Sequence, residues 1–447
     1  MTMFRRICFL MIPSLTLWSF VGTAAEPEVV WAYAAQSNLY APPLAADVHP
    51  APGLEIILSD SEAKRLRCIS ADGEQLWAYD GGFGFRLISA AALSSPAPDR
   101  PRLLAIANGD GIVRAVDAAT GREVWRRPTG RVEWGGALWV DLDGDGVEEA
   151  VIATLDEGIY ALNADGSVRW RHPAHADDAP PSIAGSAAAA DADGDGTPSL
   201  FFCAQRGPMA LHADGALRWT RELDSEFPGS PVIADLRGGD AALVCVSRHD
   251  HALWLFDARS GKTLHCAPLF GAPDAYAASA VAVGDITQDG AKEIVVGDGV
   301  GHLCAFSADA ELLWLFKTKK PTPIGATLGD VDGDGAVDIL AASGDHCLYA
   351  LDPLGRMQWR FKTDLRLIYP PTIADVNGDG RADILLCGSD RTLRRISLGG
   401  AHDPARMPWP SRRGNPAQTG AAPAAAHAFV AVTRSLLLHG GFEYAKT

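Results

Sequence analysis

Several kinds of protein are excluded by what this chain lacks. It has no CxxC and no adjacent cysteine pair. Of its eight cysteines, Cys8 lies in the first 25 residues, leaving an odd seven. An odd number cannot form a fully paired disulfide framework within one chain. Cys68, Cys203, Cys245, Cys304, Cys347 and Cys387 sit inside short apolar runs and Cys266 ends another, so buried thiols are expected, packing as small hydrophobes. Beyond residue 25 no apolar run is long enough to span a bilayer. There is no basic stripe and the net charge is −16, so nucleic acid is not an expected partner. No nucleophile, base or acid stands at a recognisable catalytic spacing. His249-Asp250-His251 reads as a surface loop, and His172 and His175 have no acidic neighbour at a telling distance. Glycine-rich stretches such as Gly297–Gly301 precede no helix that could cradle a phosphate.

The N-terminus stands apart. Arg5-Arg6, a mostly apolar run from Ile7 to Val21, and small residues at Thr23-Ala-Ala25 have the order of a secretory signal peptide. Residues 1–25 are therefore expected to be removed. The mature chain should be secreted, extracellular or periplasmic, with no stable membrane span after cleavage.

What is present is a repeat. Asp330 to Thr363 holds an acidic loop, the apolar run Ile339-Leu-Ala-Ala, a second run Cys347-Leu-Tyr-Ala-Leu, then Gly355 and a strand carrying Trp359. With the run before Asp330 this makes four short strands in about 43 residues, the content of one propeller blade. The tryptophan strand recurs at Trp31, Trp77, Trp125, Trp170, Trp219, Trp314 and Trp359, with Leu264 expected to fill the one gap. The mean step is about 47 residues. The fold expected is all-β: a single eight-bladed β-propeller of four-stranded blades over residues 26–420, with seven blades as the runner-up. The last unit lacks its fourth strand and Val29-Val-Trp-Ala-Tyr-Ala stands spare at the start, so the ring should be closed by this N-terminal strand. The Ala-rich tail 421–447 is unassigned.

Five acidic loops carry the chemical signal. Their 18 carboxylates account for the whole charge imbalance. In Asp330-x-Asp332-x-Asp334-Gly-x-x-Asp338 alternate residues can face one centre, Gly335 permits the sharp turn, and the carbonyl of Ala336 is an expected ligand. Hard oxygens in a flexible loop suit calcium better than magnesium. The same positions are Asp141, Asp143, Asp145, Val147 and Glu149 in one loop, and Asp191, Asp193, Asp195 and Thr197 in a second. Asp285, Thr287, Asp289, Ala291 and Glu293 form a third, and Asp375, Asn377, Asp379, Arg381 and Asp383 a fourth. The loops at 141 and 330 are complete; that at 191 ends in Ser199 and should be weakest.

These loops, followed by an apolar strand, resemble the FG-GAP/VCBS repeats of integrin-type propellers. The Gly-x-x-x-Trp strands, with Leu348-Tyr-Ala-Leu-Asp before them, resemble PQQ-like propeller repeats. The resemblance covers about residues 29–420 and implies a propeller with calcium at the matched loop positions. Such propellers serve as adhesion modules, scaffolds and enzymes. The expectation is a calcium-binding module that meets a glycan or protein through one face, made by the loops between second and third strands and between blades. Those loops carry Phe83, Phe85, Trp134, His172, His249, Tyr276, Lys319, Lys320, Tyr369 and Arg391. The alternatives are a calcium-dependent polysaccharide lyase or a quinoprotein dehydrogenase holding its cofactor at the centre of the ring.

Overall fold

A computed structural model describes residues 26–97, 99–173, 183–270, 281–320, 325–415 and 418–422. The expected signal peptide, His175, Tyr276 and most of the tail lie outside them.

The chain folds into eight antiparallel four-stranded sheets, and in seven of them the strands follow in chain order. Blade 1 runs from Leu44 to Tyr79, blade 2 from Ala92 to Pro128, blade 3 from Leu138 to His172 and blade 4 from Ala188 to Thr220. Blade 5 spans Val232 to Pro268, blade 6 Ala282 to Lys317 and blade 7 Thr327 to Lys362. Blade 8 takes three strands from Thr372 to Ala401 and its outermost strand, Glu28–Ala34, from the other end of the chain. Trp31 pairs with Arg395 and Tyr33 with Leu393 in that closing seam. The eight-bladed expectation and the shared closing strand are both met; closure protects the seam between the first and last blades.

The core is layered between blades. One buried cluster joins Leu66 and Cys68 of blade 1 to Leu104 and Val116 of blade 2. Another joins Leu348 and Ala350 of blade 7 to Ile384 and Leu386 of blade 8. Middle strands such as Glu55–Asp60, Ser199–Ala204 and Cys347–Leu351 are buried on both faces, which is why they read as continuous apolar runs rather than alternating ones. The thiols of Cys68, Cys203, Cys245, Cys304, Cys347 and Cys387 are buried and Cys266 is exposed. The sulfurs of Cys203 and Cys245 meet 3.2 Å apart across blades 4 and 5.

The tryptophans lock each blade to the next. In six of the seven the indole Nε1–H donates to a backbone carbonyl of the following blade at 2.8–3.1 Å: Trp31 to Ala71, Trp77 to Ala118, Trp125 to Ala164, Trp170 to Ala213, Trp219 to Ala258 and Trp314 to Pro353; Trp359 packs in the blade 7–8 core with its Nε1 unpartnered. The ring lies against a glycine in the same turn. A Cβ on Gly121 (φ +70°) would stand 2.7 Å from the Trp77 ring, and one on Gly355 (φ +76°) 2.6 Å from Trp314. Glycine is thus required there by both the backbone and the indole.

Blade 5 breaks the pattern, and one expectation is corrected. His265, not Leu264, occupies the tryptophan position: it pairs with Leu255 one step before the bulge, as Trp219 pairs with Ala210. Leu264 points outward and is 46% exposed. The His265 Nε2 lies 3.6 Å from Asp309 Oδ1 of blade 6. With no indole to accommodate, the turn in blade 6 carries Ala310 at φ 60° where other blades have glycine.

Residues 404–415 and 418–422 fill the axis of the ring. They begin at the acidic-loop end, where Arg406 O accepts from Asp330 N at 3.1 Å. Trp409 pairs with Leu328, and Pro410 O accepts from Ile373 N at 2.8 Å. The segment turns back after Arg413, and Ala421 runs parallel to Ile233. Trp409 is fully buried. Arg413 is buried with no carboxylate: its guanidinium donates to the carbonyls of Pro231, Ala187 and Gln418. Burial, with Arg412 beside it, pulls its pKa down to about 9.

These seams set expectations for substitutions. Trp125→Ala should cost about 3 kcal/mol through the lost packing and the unpaired Ala164 carbonyl. Leu264→Ala should fall within about 0.5 kcal/mol of wild type. Denaturant melts of both variants check the register; equal losses would contradict it.

Candidate metal centres in the acidic loops

Each loop joins the first and second strands of its blade, so all lie on one face. The first aspartate organises the turn. Asp141 Oδ1 accepts from Gly144 N (2.7 Å) and its Oδ2 from Gly146 N (2.9 Å). Asp191 repeats this with Gly194 and Gly196, and Asp330 with Gly333 and Gly335. Asp285 and Asp375 accept from Gly290 and Gly380. The fifth-position carboxylates Asp145, Asp195, Asp289, Asp334 and Asp379 accept from the backbone N–H two residues on, at Val147, Thr197, Ala291, Ala336 and Arg381.

The last residue of each loop lies at the start of the second strand and is buried: Glu149, Ser199, Glu293 and Asp338 open it, and Asp383 is the third residue of Arg381–Cys387. One oxygen of each closing carboxylate accepts from the backbone N–H seven residues earlier, at Leu142, Ile286, Val331 and Val376. Glu55 of blade 1 does the same with Val48 at 2.9 Å. That blade, which reads as a decayed loop, keeps the closing carboxylate; its signal in the sequence is the spacing from Asp47. Burying a carboxylate is costly unless its oxygens are paired. The fate of the second oxygen therefore decides what each loop can hold.

In blade 3, Arg169 reaches in from the outermost strand and bridges Asp143 Oδ2 (2.6 Å) and Glu149 Oε1 (3.5 Å). In blade 4, Arg218 bridges Asp193 Oδ2 (2.7 Å) and Ser199 Oγ (2.8 Å). In blade 6, the Thr287 hydroxyl donates to Glu293 Oε1 at 3.2 Å. In blade 8, buried Arg395 pairs with Asp383 at 2.9 Å, and Asn377 donates to Asp379. In blade 7, Asp338 Oδ1 is buried with no partner; Arg406 approaches only Asp330, at 3.3 Å.

Three loops gather carboxylates closely enough to share an ion: Asp141, Asp143 and Glu149; Asp191, Asp193 and Asp195; Asp330, Asp332 and Asp338. Within each group the oxygens lie within 4.8 Å of one another. The loops at 285 and 375 bring no third carboxylate to such a group among the described residues, because Thr287 and Asn377 take the third position. The loop at 191, expected to be weakest, gathers its aspartates but completes the set with Arg218 where a carboxylate is missing. Arg169, Arg218, Arg395 and Glu55 were not singled out by the loop pattern, which stops at nine residues. The arginines come from strands 12 to 26 positions away in the chain from the residues they meet.

The electrostatics follow. Its bond to Arg169 holds Asp143 below the usual carboxylate range. Burial pushes Glu149 up to about 7 despite its backbone bond and Arg169. Burial, then the facing Asp332, Asp334 and Asp330, pushes Asp338 up to about 7. A divalent cation among these oxygens would replace that repulsion with attraction. The residues of blade 7 fit such an ion: three converging carboxylates, one buried oxygen unpartnered, and glycines at φ 79° and 92° that fold the loop around the centre.

The opposite face holds the residues expected to meet a partner. Phe85 is exposed. Phe83 and Tyr369 are buried, Phe83 beneath the Arg114 guanidinium at 4.4 Å and Tyr369 beneath Arg412 at 4.6 Å; they serve packing. His172 bonds the Gly215 carbonyl, at the blade 3–4 seam. Between blades 7, 8 and 1 this face opens a cleft of about 600 Å³, lined by Asn38, Tyr40, Lys320, His346, Arg366 and Ser389.

Fold and loops together define a β-propeller built from two repeat types. A family model described as outer membrane protein assembly factor BamB matches residues 21–144 and 62–279, together more than half of the sequence, and the chain belongs to this family of PQQ-like repeat propellers. An FG-GAP-like repeat model matches residues 330–386, which span the blade 7 and blade 8 loops. No curated protein matches the sequence. Among solved structures, BamB from Moraxella catarrhalis is similar at 16% identity and TM-score 0.57, over 83% of this chain and all of that one. The quinohemoprotein alcohol dehydrogenase of Comamonas testosteroni is similar at 14% and 0.62, over 85% of this chain and 78% of that one. The V. cholerae biofilm matrix protein Bap1 is similar at 14% and 0.63, over 88% and 93%. At these identities the likeness is one of fold.

A pH experiment tests the buried carboxylate. Folded Asp338 titrates near 7, above the value near 4 of an unfolded aspartate. Between those values the folded protein holds a proton that the unfolded chain has lost, so the associated stability fades as pH rises from about 4 to about 7. In chelator, wild type should therefore lose up to roughly 4 kcal/mol relative to Asp338→Asn over that rise. Parallel stability–pH curves for the two proteins would contradict the assignment.

Proposed function

We propose that this protein is an exported, secreted or periplasmic, β-propeller that works as a calcium-stabilised binding or scaffold module for a glycan or protein partner. One observation carries the reading: the axis of the ring is filled by residues 404–415 and 418–422, with Trp409 and Arg413 buried there. A planar cofactor or a substrate on the axis would have to displace them, and with them backbone pairing to blades 4, 5, 7 and 8. That counts against the quinoprotein alternative. It leaves the loop face, and above all the cleft between blades 7, 8 and 1, as the place for a partner.

The cleft has a definite chemistry. Lys320, Arg366 and His346 line it beside Asn38, Tyr40 and Ser389, and no carboxylate is among its lining residues. On a chain of net charge −16 this is a local reversal of sign. It suits an acidic partner, steered to it by complementary charge. The match to a BamB-type family and the likeness of fold to a biofilm matrix protein support a scaffold outside the cytoplasm. Calcium is the cation proposed for the acidic loops, because hard oxygens on a flexible loop are its ligand set. Its role is to hold the loop closed, on the face away from the cleft.

Two measurements test this. Acidic polysaccharides and acidic peptides presented on an array should be bound without turnover, and Lys320→Glu with Arg366→Glu should weaken binding at least tenfold; depolymerisation of a polysaccharide would instead establish the lyase alternative. Calcium at about ten times its dissociation constant should add about 1.4 kcal/mol per site, seen as a higher melting temperature than in chelator. Identical melting in both would remove the calcium assignment.

A further inference from the structure

In the loops of blades 3 and 4 the position of the cation is taken by a side chain of the protein. Arg169 and Arg218 occupy one register position, the residue before the docking tryptophan on the outermost strand. Each guanidinium spans the third-position aspartate and the closing residue. A guanidinium there uses the oxygens a metal would need, and its charge opposes a second cation. In the other blades with a tryptophan in this register, the preceding residue is apolar at Leu76, Val124, Leu313 and Val30. Blade 7 alone has a neutral polar side chain there, Gln358, whose Oε1 is buried without a partner. Among the five acidic loops it is also the one whose closing carboxylate has a buried oxygen with neither a hydrogen bond nor an ion pair, Asp338 Oδ1, and in which Asp330, Asp332 and Asp338 converge; Glu55 Oε1 of blade 1, outside the five, is likewise unpartnered. In blade 6 the Thr287 hydroxyl donates to the closing carboxylate, and in blade 8 Arg395, from the third strand, sets a positive charge 2.9 Å from it.

We propose that, of the five acidic loops, only the one in blade 7 takes up calcium, and that the residue before the docking tryptophan decides this: arginine closes a loop with a tethered cation, and glutamine leaves it open to a free one. The inference rests on the calcium reading above and sharpens it. It makes Arg169 and Arg218 permanent stand-ins for metal. Blades 3 and 4 are then indifferent to calcium, and the response of the whole ring is concentrated at the blade 7–8 seam. There the loop also touches the axial segment, through the Arg406–Asp330 pair.

The test exchanges the two residue types in the full chain. Calcium is titrated calorimetrically into decalcified protein, and melting is followed with and without chelator. Wild type should bind one equivalent. Gln358→Arg should lose calcium affinity at least 100-fold and melt in chelator at or above the wild-type temperature, because the guanidinium supplies the missing charge. Arg169→Gln should bind two equivalents and melt lower than wild type in chelator, with calcium restoring it; Arg218→Gln is the parallel case should Arg169→Gln not fold. Wild type binding two or more equivalents would overturn this inference while leaving the calcium reading intact. Gln358→Arg keeping its affinity within threefold would also overturn it. Wild type binding no calcium would overturn both.

Discussion

A carboxylate or hydroxyl buried at the first residue of a blade's second strand is the constraint around which the acidic face is built. Glu55, Glu149, Glu293 and Asp338 lie there and Asp383 two residues further in, each less than 4% exposed. The backbone N–H seven residues upstream satisfies one oxygen and thereby sets the loop length. The other oxygen needs a donor or a cation, since leaving it bare in low dielectric costs free energy. Arginine from the outermost strand, arginine from the third strand and a threonine hydroxyl are three answers found in different blades. The different answers explain why loops with nearly the same sequence pattern differ in what they can hold.

The seams between blades follow a second rule, and the two meet in one strand. In blades 3 and 4 the docking tryptophan binds the next blade through its indole N–H, while the arginine before it reaches back into its own blade's acidic loop. A single strand such as Val168–His172 therefore ties the loop of blade 3 and the turn of blade 4 together. Where the tryptophan is absent, in blade 5, the neighbouring turn changes with it: His265 faces Asp309 and Ala310 replaces glycine.

Much of this was legible in the sequence. The period of about 47 residues, the Trp positions and the spare strand at Val29–Ala34 point to eight blades and to closure by the N-terminus because they are local, repeated signals. The acidic loops were legible for the same reason. Three things were not. The tryptophan register in blade 5 depends on a bulge, and a one-residue shift separates Leu264 from His265. Arg169 and Arg218 act across a strand lying between them and the loop, and Arg395 from the strand next to it, so no window of nine residues contains both partners. The axial segment pairs with strands far from it in the chain, Trp409 with Leu328 and Ala421 with Ile233, and Pro408-Trp-Pro-Ser-Arg-Arg has no periodicity to announce where it lies.

The central claim is that resident side chains, rather than loop sequence alone, decide where a metal sits. It is tested most directly by soaking crystals in a lanthanide and mapping anomalous scattering. The account predicts one strong peak, among Asp330, Asp332 and Asp338 of blade 7. Peaks of comparable height beside Asp143 and Asp193, or no peak in blade 7, would contradict it.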